Sequence, residues 1–190
     1  NVVGVVRGRS EHGPRALGNR SLLCDATKIH CLCIYDTETD QTMVFNDQSF
    51  KHATDKQAAE PIVRGIQYLE DADCLVGHNI IGYDLAIINK LYPWFRRIGD
   101  CLDTLLLSRL YHPDLLDIDK KRVWKDMPLK LYGRHSLEAY GYRLDEHKGT
   151  FGKDTDWKEW SQEMQDYMIQ DVVVTNKLWK HFQPYLNGSN

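Results

Sequence analysis

The stretch Cys74-Leu75-Val76-Gly77-His78-Asn79-Ile80-Ile81-Gly82-Tyr83-Asp84 reads as a short buried strand that ends in a polar turn, from which a helix starts. Before it, Ile62, Val63, Ile66 and Leu69 recur at helical spacing and predict a helix feeding that strand. After it, Leu85, Ile88 and Leu91 mark a second helix, stopped by Pro93. Helices alternating with buried strands define an α/β fold. In such folds functional groups gather beyond the strand ends, which is where Asp84 stands.

Upstream, the β-formers of Ile29 to Tyr35 lead through Asp36-Thr37-Glu38-Thr39-Asp40-Gln41-Thr42 to Met43-Val44-Phe45, the pattern of a hairpin. Downstream, Cys101 to Leu107 is a further apolar run, Asp114 to Leu131 is charged and irregular and predicts a mobile loop, and Leu137 to Tyr142 predicts a short helix. Met164, Met168, Val172, Thr175, Leu178, Trp179 and Phe182 trace one face of a long C-terminal helix. Gly188-Ser189-Asn190 reads as a frayed tail, within a tail segment 187–190.

The 190 residues, 42% hydrophobic and 27% charged, suit one globular domain with a short appendage. With 24 Lys plus Arg against 27 Asp plus Glu, the net charge of −3 argues against holding nucleic acid by bulk positive charge. Any such contact must be local. Lys120, Lys121, Arg122 and Lys125 around Trp124 are the candidates, with a solvated loop as the plainer reading. Five cysteines without a CxxC pair read as buried, reduced thiols of an intracellular protein rather than a zinc site. No apolar run approaches the roughly 18 residues of a membrane span.

Two sets of side chains carry chemistry. Tyr167 and Asp171 stand four apart on the long helix and so share a face. Asp171 interrupts an apolar stripe, where a charge needs compensation such as a cation. Asp84 is the second acid. Taken separately, the plainer readings are a helix N-cap for Asp84 and a hydrogen-bonded structural pair for Tyr167 and Asp171.

Together, Asn79-x-x-x-Tyr83-Asp84 and Tyr167-x-x-x-Asp171 resemble the second and third motifs of the Tyr-containing branch of the DEDD 3′-5′ exonucleases. Lys28-Ile29-His30-Cys31, Asp103 to Leu110 and Gly133 to Leu144 extend the resemblance to the proofreading domain of T7-like phage family A DNA polymerases, over about 27–186. The resemblance implies a ribonuclease H-like fold, a mixed sheet flanked by helices, with its first strand replaced in this chain. It also implies hydrolysis of a single-stranded DNA 3′ end by two divalent metals, Mg²⁺ or Mn²⁺, roughly 3.5 to 4 Å apart. Asp84 and Asp171 would be metal-associated acids, Tyr167 the phenol that orients water, and Asn79 and Tyr83 cleft-shaping groups. His135 and Ser136 would support the cleft or, more simply, cap the next helix. A polymerase module normally follows such a domain, and the expected setting is the host cytoplasm, away from membranes.

That family carries its first motif as Asp-x-Glu on the first strand. Counting about twelve residues back from Lys28 puts Ala16 and Gly18 there, and neither side chain binds a metal. Asp36 and Glu38 have the right letters, but the register assigns them to the hairpin turn. The segment 1–26, with Gly8-Arg9-Ser10-Glu11-His12-Gly13-Pro14-Arg15-Ala16-Leu17-Gly18-Asn19-Arg20-Ser21, resembles instead a carbamoyltransferase signature. There Arg9, Arg15 and Arg20 suit anionic ligands. Three outcomes follow: an exonuclease domain impaired at its first motif, a working one that recruits Asp36 and Glu38, or a non-catalytic DNA-binding relic. Carbamoyl transfer is a further alternative.

Overall fold

The computed structural model describes residues 2–6, 24–25, 28–48, 60–146 and 160–188. The strands are β1 (Val2–Val6), β2 (Cys24–Asp25), β3 (Lys28–Ile29), β4 (Leu32–Asp36), β5 (Gln41–Phe45), β6 (Cys74–Gly77) and β7 (Asp100–Asp103). The helices are α1 (Ile62–Glu70), α2 (Leu85–Leu91), α3 (Thr104–Tyr111), α4 (Leu115–Lys120), α5 (Leu137–Arg143) and α6 (Gln162–Leu186).

Five strands form one mixed sheet in the order β5-β4-β1-β6-β7. β4 pairs antiparallel with β5 and β1, whereas β1, β6 and β7 run parallel. β1 is therefore the central strand, with Val6 opposite Leu32, Val2 opposite Asp36, and Val3 beside Val76. The positions that the sequence count gave for the first-strand motif, Ala16 and Gly18, lie outside the described residues, as do Arg9, Arg15 and Arg20. Four β-branched valines around Gly4, with no polar residue among them, suit a strand flanked on both sides.

Side-chain alternation divides the core into two layers. Leu32 and Ile34 of β4 and Leu75 of β6 meet Ile62, Ile66 and Leu69 of α1 and Ile88 of α2. On the other face, Cys33 packs with Met168 and Val172 of α6, and Val76 with Val174, Leu178 and Phe182. α1 comes so close that a Cβ on Gly65 would lie 2.5 Å from Leu32 Cδ2. Each fully buried Leu, Ile or Phe contributes roughly 1.5–3 kcal/mol. Cys31 and Cys33 are free and buried, and burial pushes the Cys33 thiol up to about 12, so neither is a reactive thiolate at neutral pH.

The expected helices before and after β6, the hairpin, the short helix and the long C-terminal helix are all present. The mobile loop is not. Residues 114–131 contain α4 and a short 3₁₀ turn at Leu129–Leu131, because fully buried Asp119 ties the segment to Arg143 of α5. Asn187 and Gly188 end the C-terminal helix in a turn.

Candidate functional site

The turn after β6 is built by its neighbours. Asp103, 5% exposed at the end of β7, accepts hydrogen bonds from the N–H groups of Asn79 (2.8 Å), Ile81 (3.2 Å) and Leu105 (2.9 Å). Asn79 takes the left-handed conformation, φ 63°, which Asn tolerates better than most residues. The chain then winds through a π-helical turn, Ile80–Asp84, into α2. Gly77 permits the entry, since a Cβ there would stand 2.7 Å from Ile80 Cβ. Sequence reading missed the clamp by Asp103. Its signal was an acid immediately before a Thr-led helix, and Asp103 is indeed the N-cap of α3.

Asp84 ends the π-turn and is 5% exposed. It precedes α2, yet its side chain makes no capping hydrogen bond to that helix, so the N-cap reading is corrected. Tyr83 packs against the core beside it. On α6, Tyr167 is half-buried and Asp171, one turn on, is 8% exposed.

Both acids lie toward the same end of the sheet. Asp84 follows the carboxyl end of β6, and its turn packs on β1 and β7. Asp171 is flanked by Met168 and Val172, which pack on Cys31 and Cys33. Cys33 pairs with Val5, so this is the carboxyl end of parallel β1. Asp36 pairs with Val2 and belongs to the opposite end. It is engaged there, accepting from the Glu38 N–H (2.8 Å), the Thr39 hydroxyl (2.9 Å) and the Tyr68 hydroxyl (2.7 Å). The Glu38 N–H first, then Tyr68, hold its carboxyl below the usual range. Exposed Glu38 thus lies in the hairpin turn, as its register predicts, whereas Asp36 is the last residue of β4 and braces that turn from the strand.

His135 and Ser136 serve α5. The Ser136 hydroxyl caps the helix by accepting from the Ala139 N–H (3.3 Å), and His135 Nδ1 meets the buried Ser108 hydroxyl at 2.6 Å. That hydroxyl also lies 2.6 Å from the Tyr140 OH. Tyr140 meets His78 edge-on at 6.5 Å between centroids, which connects α5 to the end of β6.

A two-ion centre of the exonuclease type wants four acids, and the described residues do not fit it. Asp84 and Asp171 are two buried carboxylates, but the sequence of β1, Val-Val-Gly-Val-Val, contains none. Among the described residues no group of three or more His, Cys, Asp or Glu is placed to hold a metal.

The arrangement defines a mixed α/β domain with two buried carboxylates toward one end of its sheet. In sequence it is similar to phage polymerases: the DNA-directed DNA polymerase of Escherichia phage T7 is 34% identical over 192 residues, covering 86% of this chain and 26% of the relative. That of Enterobacteria phage T3 is 33% identical with the same shares, so the chain spans about a quarter of the curated relatives it matches. The carbamoyltransferase C-terminus family matches residues 1–43. That match runs beyond Ala26 and takes in β1, β4 and most of β5, so the segment resembling one family supplies the middle strand of a fold whose remainder resembles another.

Proposed function

We propose that residues 27–186 are a 3′-5′ exonuclease-type, proofreading-derived domain that engages the 3′ end of single-stranded DNA, with hydrolysis impaired at the first motif. The observation that carries this reading is the location of Asp84 and Asp171 toward one sheet end, within motifs spaced as in that family. The strand order, antiparallel on one side of β1 and parallel on the other, suits a ribonuclease H-like architecture. Similarity to phage DNA polymerases supports DNA as the partner and replication as the setting.

The roles assigned are specific. Asp84 and Asp171 supply negative oxygen where Mg²⁺ or Mn²⁺ would be held, Tyr167 presents a phenol one turn before Asp171, and Asn79 and Tyr83 shape the floor. A divalent ion in such a site stabilises the attacking and leaving oxygens of a phosphodiester. Two carboxylates alone fall short of the set that two ions require, which is the physical basis of the impairment. A polymerase module beyond this domain belongs to the same proposal, as does a cytoplasmic setting. No described helix is long and apolar enough to cross a membrane.

The test is a nuclease assay on 5′-labelled single-stranded DNA with Mn²⁺. The native chain should leave the DNA almost intact. Replacing residues 2–26 by a phage-type first strand that ends in Asp-x-Glu should restore stepwise 3′-5′ cleavage. In that graft Asp171→Ala should abolish cleavage and Tyr167→Phe should only reduce it, since the ring stays and one hydrogen bond goes. Robust cleavage by the native chain would refute impairment, and an inert graft that binds no DNA would refute the exonuclease reading. A DNA-binding relic is the second reading, favoured by the acid-free β1; it predicts DNA binding by a graft that stays inert.

A further inference from the structure

From Lys120, the last residue of α4, to Leu131 the chain turns a corner with five cations, Lys120, Lys121, Arg122, Lys125 and Lys130, against the single acid Asp126. The corner is rigidly built. Asp119 anchors its start to Arg143, and the Arg122 N–H donates to the Asp119 carbonyl. Met127 is buried with Leu131 and Ala139, and Trp124 packs against them. The Arg122 guanidinium lies 4.9 Å over the Trp124 ring. Trp124 is therefore a half-buried support with one face covered, not a free stacking platform.

The four lysines make no ion pair among the described residues, and all are exposed. A chain of contacts joins the corner to the site. Arg143, paired with Asp119, stacks on Tyr140 at 4.9 Å, and Tyr140 meets His78, next to Asn79. The corner thus sits on the flank of the domain tied to the carboxyl end of β6. Cations without acidic partners, held on an ordered scaffold, match the regularly spaced phosphates of a single strand, whose bases need not be read.

We infer that this corner is a phosphate-backbone contact for single-stranded DNA, holding the strand several nucleotides away from the end that reaches Asp84 and Asp171. The inference rests on the exonuclease-type reading for its geometry, but binding needs no metal and is measured without one. Fluorescence anisotropy in EDTA at low salt compares 5′-labelled oligothymidylates of twelve and four residues. Substituting Lys120, Lys121, Arg122 and Lys125 together by Gln should weaken the twelve-mer tenfold or more and the four-mer less than twofold. The slope of log affinity against log salt should shrink by about 2 to 3, since each lost phosphate contact removes about 0.7. A second variant, Lys120→Gln with Lys121→Gln and Lys125→Gln, leaves Arg122 on Trp124 and should show most of the effect if the fold is intact. Unchanged twelve-mer affinity in both variants would overturn the surface alone and assign it to another acidic partner. Equal losses for both oligomers would overturn its place upstream of the end. No binding of either oligomer by the native chain would overturn the DNA reading itself.

Discussion

Asp119 and Arg143 form a forked ion pair, Nε to Oδ1 at 3.0 Å and Nη2 to Oδ2 at 2.6 Å, with both side chains withdrawn from solvent. The Gly133 N–H adds a third donor to Asp119 at 2.7 Å. One carboxylate thus binds α4, the turn at Gly133 and α5 into a unit. Two parallel N–H···O bonds need the flat guanidinium fork, which lysine lacks.

Removing either partner should therefore cost about 3–5 kcal/mol, because the other is left charged and buried. Urea unfolding of Arg143→Ala and Asp119→Ala should show this, and Arg143→Lys should recover only part. Burial alone would raise the Asp119 pKa, but the Arg143 and Gly133 hydrogen bonds outweigh it and hold it below the ordinary value. Its stabilisation is complete above the unfolded carboxylate range near pH 4 and is lost as pH falls through the lower folded value. An Asp119→Asn variant should be less stable at pH 7, with the gap closing in strong acid.

The ring nitrogens Nε2 of His112 and His181 lie 3.0 Å apart, so one donates a proton that the other accepts. Burial holds both below the ordinary imidazole value; for His112 Asp114 opposes this and Arg143 reinforces it, and for His181 the His112 charge adds to it. The unfolded chain then binds more protons than the folded one as pH falls below about 6.5, so stability drops in that window. The urea midpoint should fall between pH 7.5 and 5.5, and His181→Gln should flatten the dependence in part. His135, held low by burial and then Arg109, acts in the same direction.

Asp103→Ala leaves three N–H groups without their acceptor, two of them in the turn that carries Asp84. The expected loss is about 2–4 kcal/mol. Hydrogen exchange should accelerate at the Asn79 and Ile81 amides beyond the global change, which a merely weaker core would not produce.

Asp36→Ala should destabilise the hairpin by about 1–3 kcal/mol, since its carboxylate serves two turn residues and Tyr68. Glu38→Gln, at an exposed position, should fall within about 0.5 kcal/mol. Placed in the chain carrying the grafted first strand, both substitutions should leave isothermal titration with Mn²⁺ unchanged, and a loss of ion binding in either would return them to the site.

The periodic elements were readable because apolar spacing reports directly on burial. Ile62, Ile66 and Leu69 marked α1, and the Met168 to Phe182 stripe marked α6. Ser136 was readable as a cap because the hydroxyl precedes an apolar run. The order in 114–131 was hidden, because Asp119 acquires its meaning only from Arg143, 24 residues later. β1 was hidden for a related reason: nothing in five apolar residues states which strands will enclose them. Motif spacing singled out Asp84 and Asp171, whereas nothing in the spacing around Asp103 announced a clamp on the neighbouring turn, since its partners Asn79 and Ile81 stand more than twenty residues earlier.

The central position of β1 sets an order of events on the ribosome. Val2 pairs with Leu75, so the nascent strand waits more than seventy residues for its parallel neighbour, roughly 4–15 s at ordinary elongation rates. During that interval β4 and β5 can zip onto one side, leaving the other edge of β1 with open amides and carbonyls. Slowed translation before β6 should therefore lower the soluble yield more than slowed translation after it, because only the first delay prolongs the life of an unpaired edge.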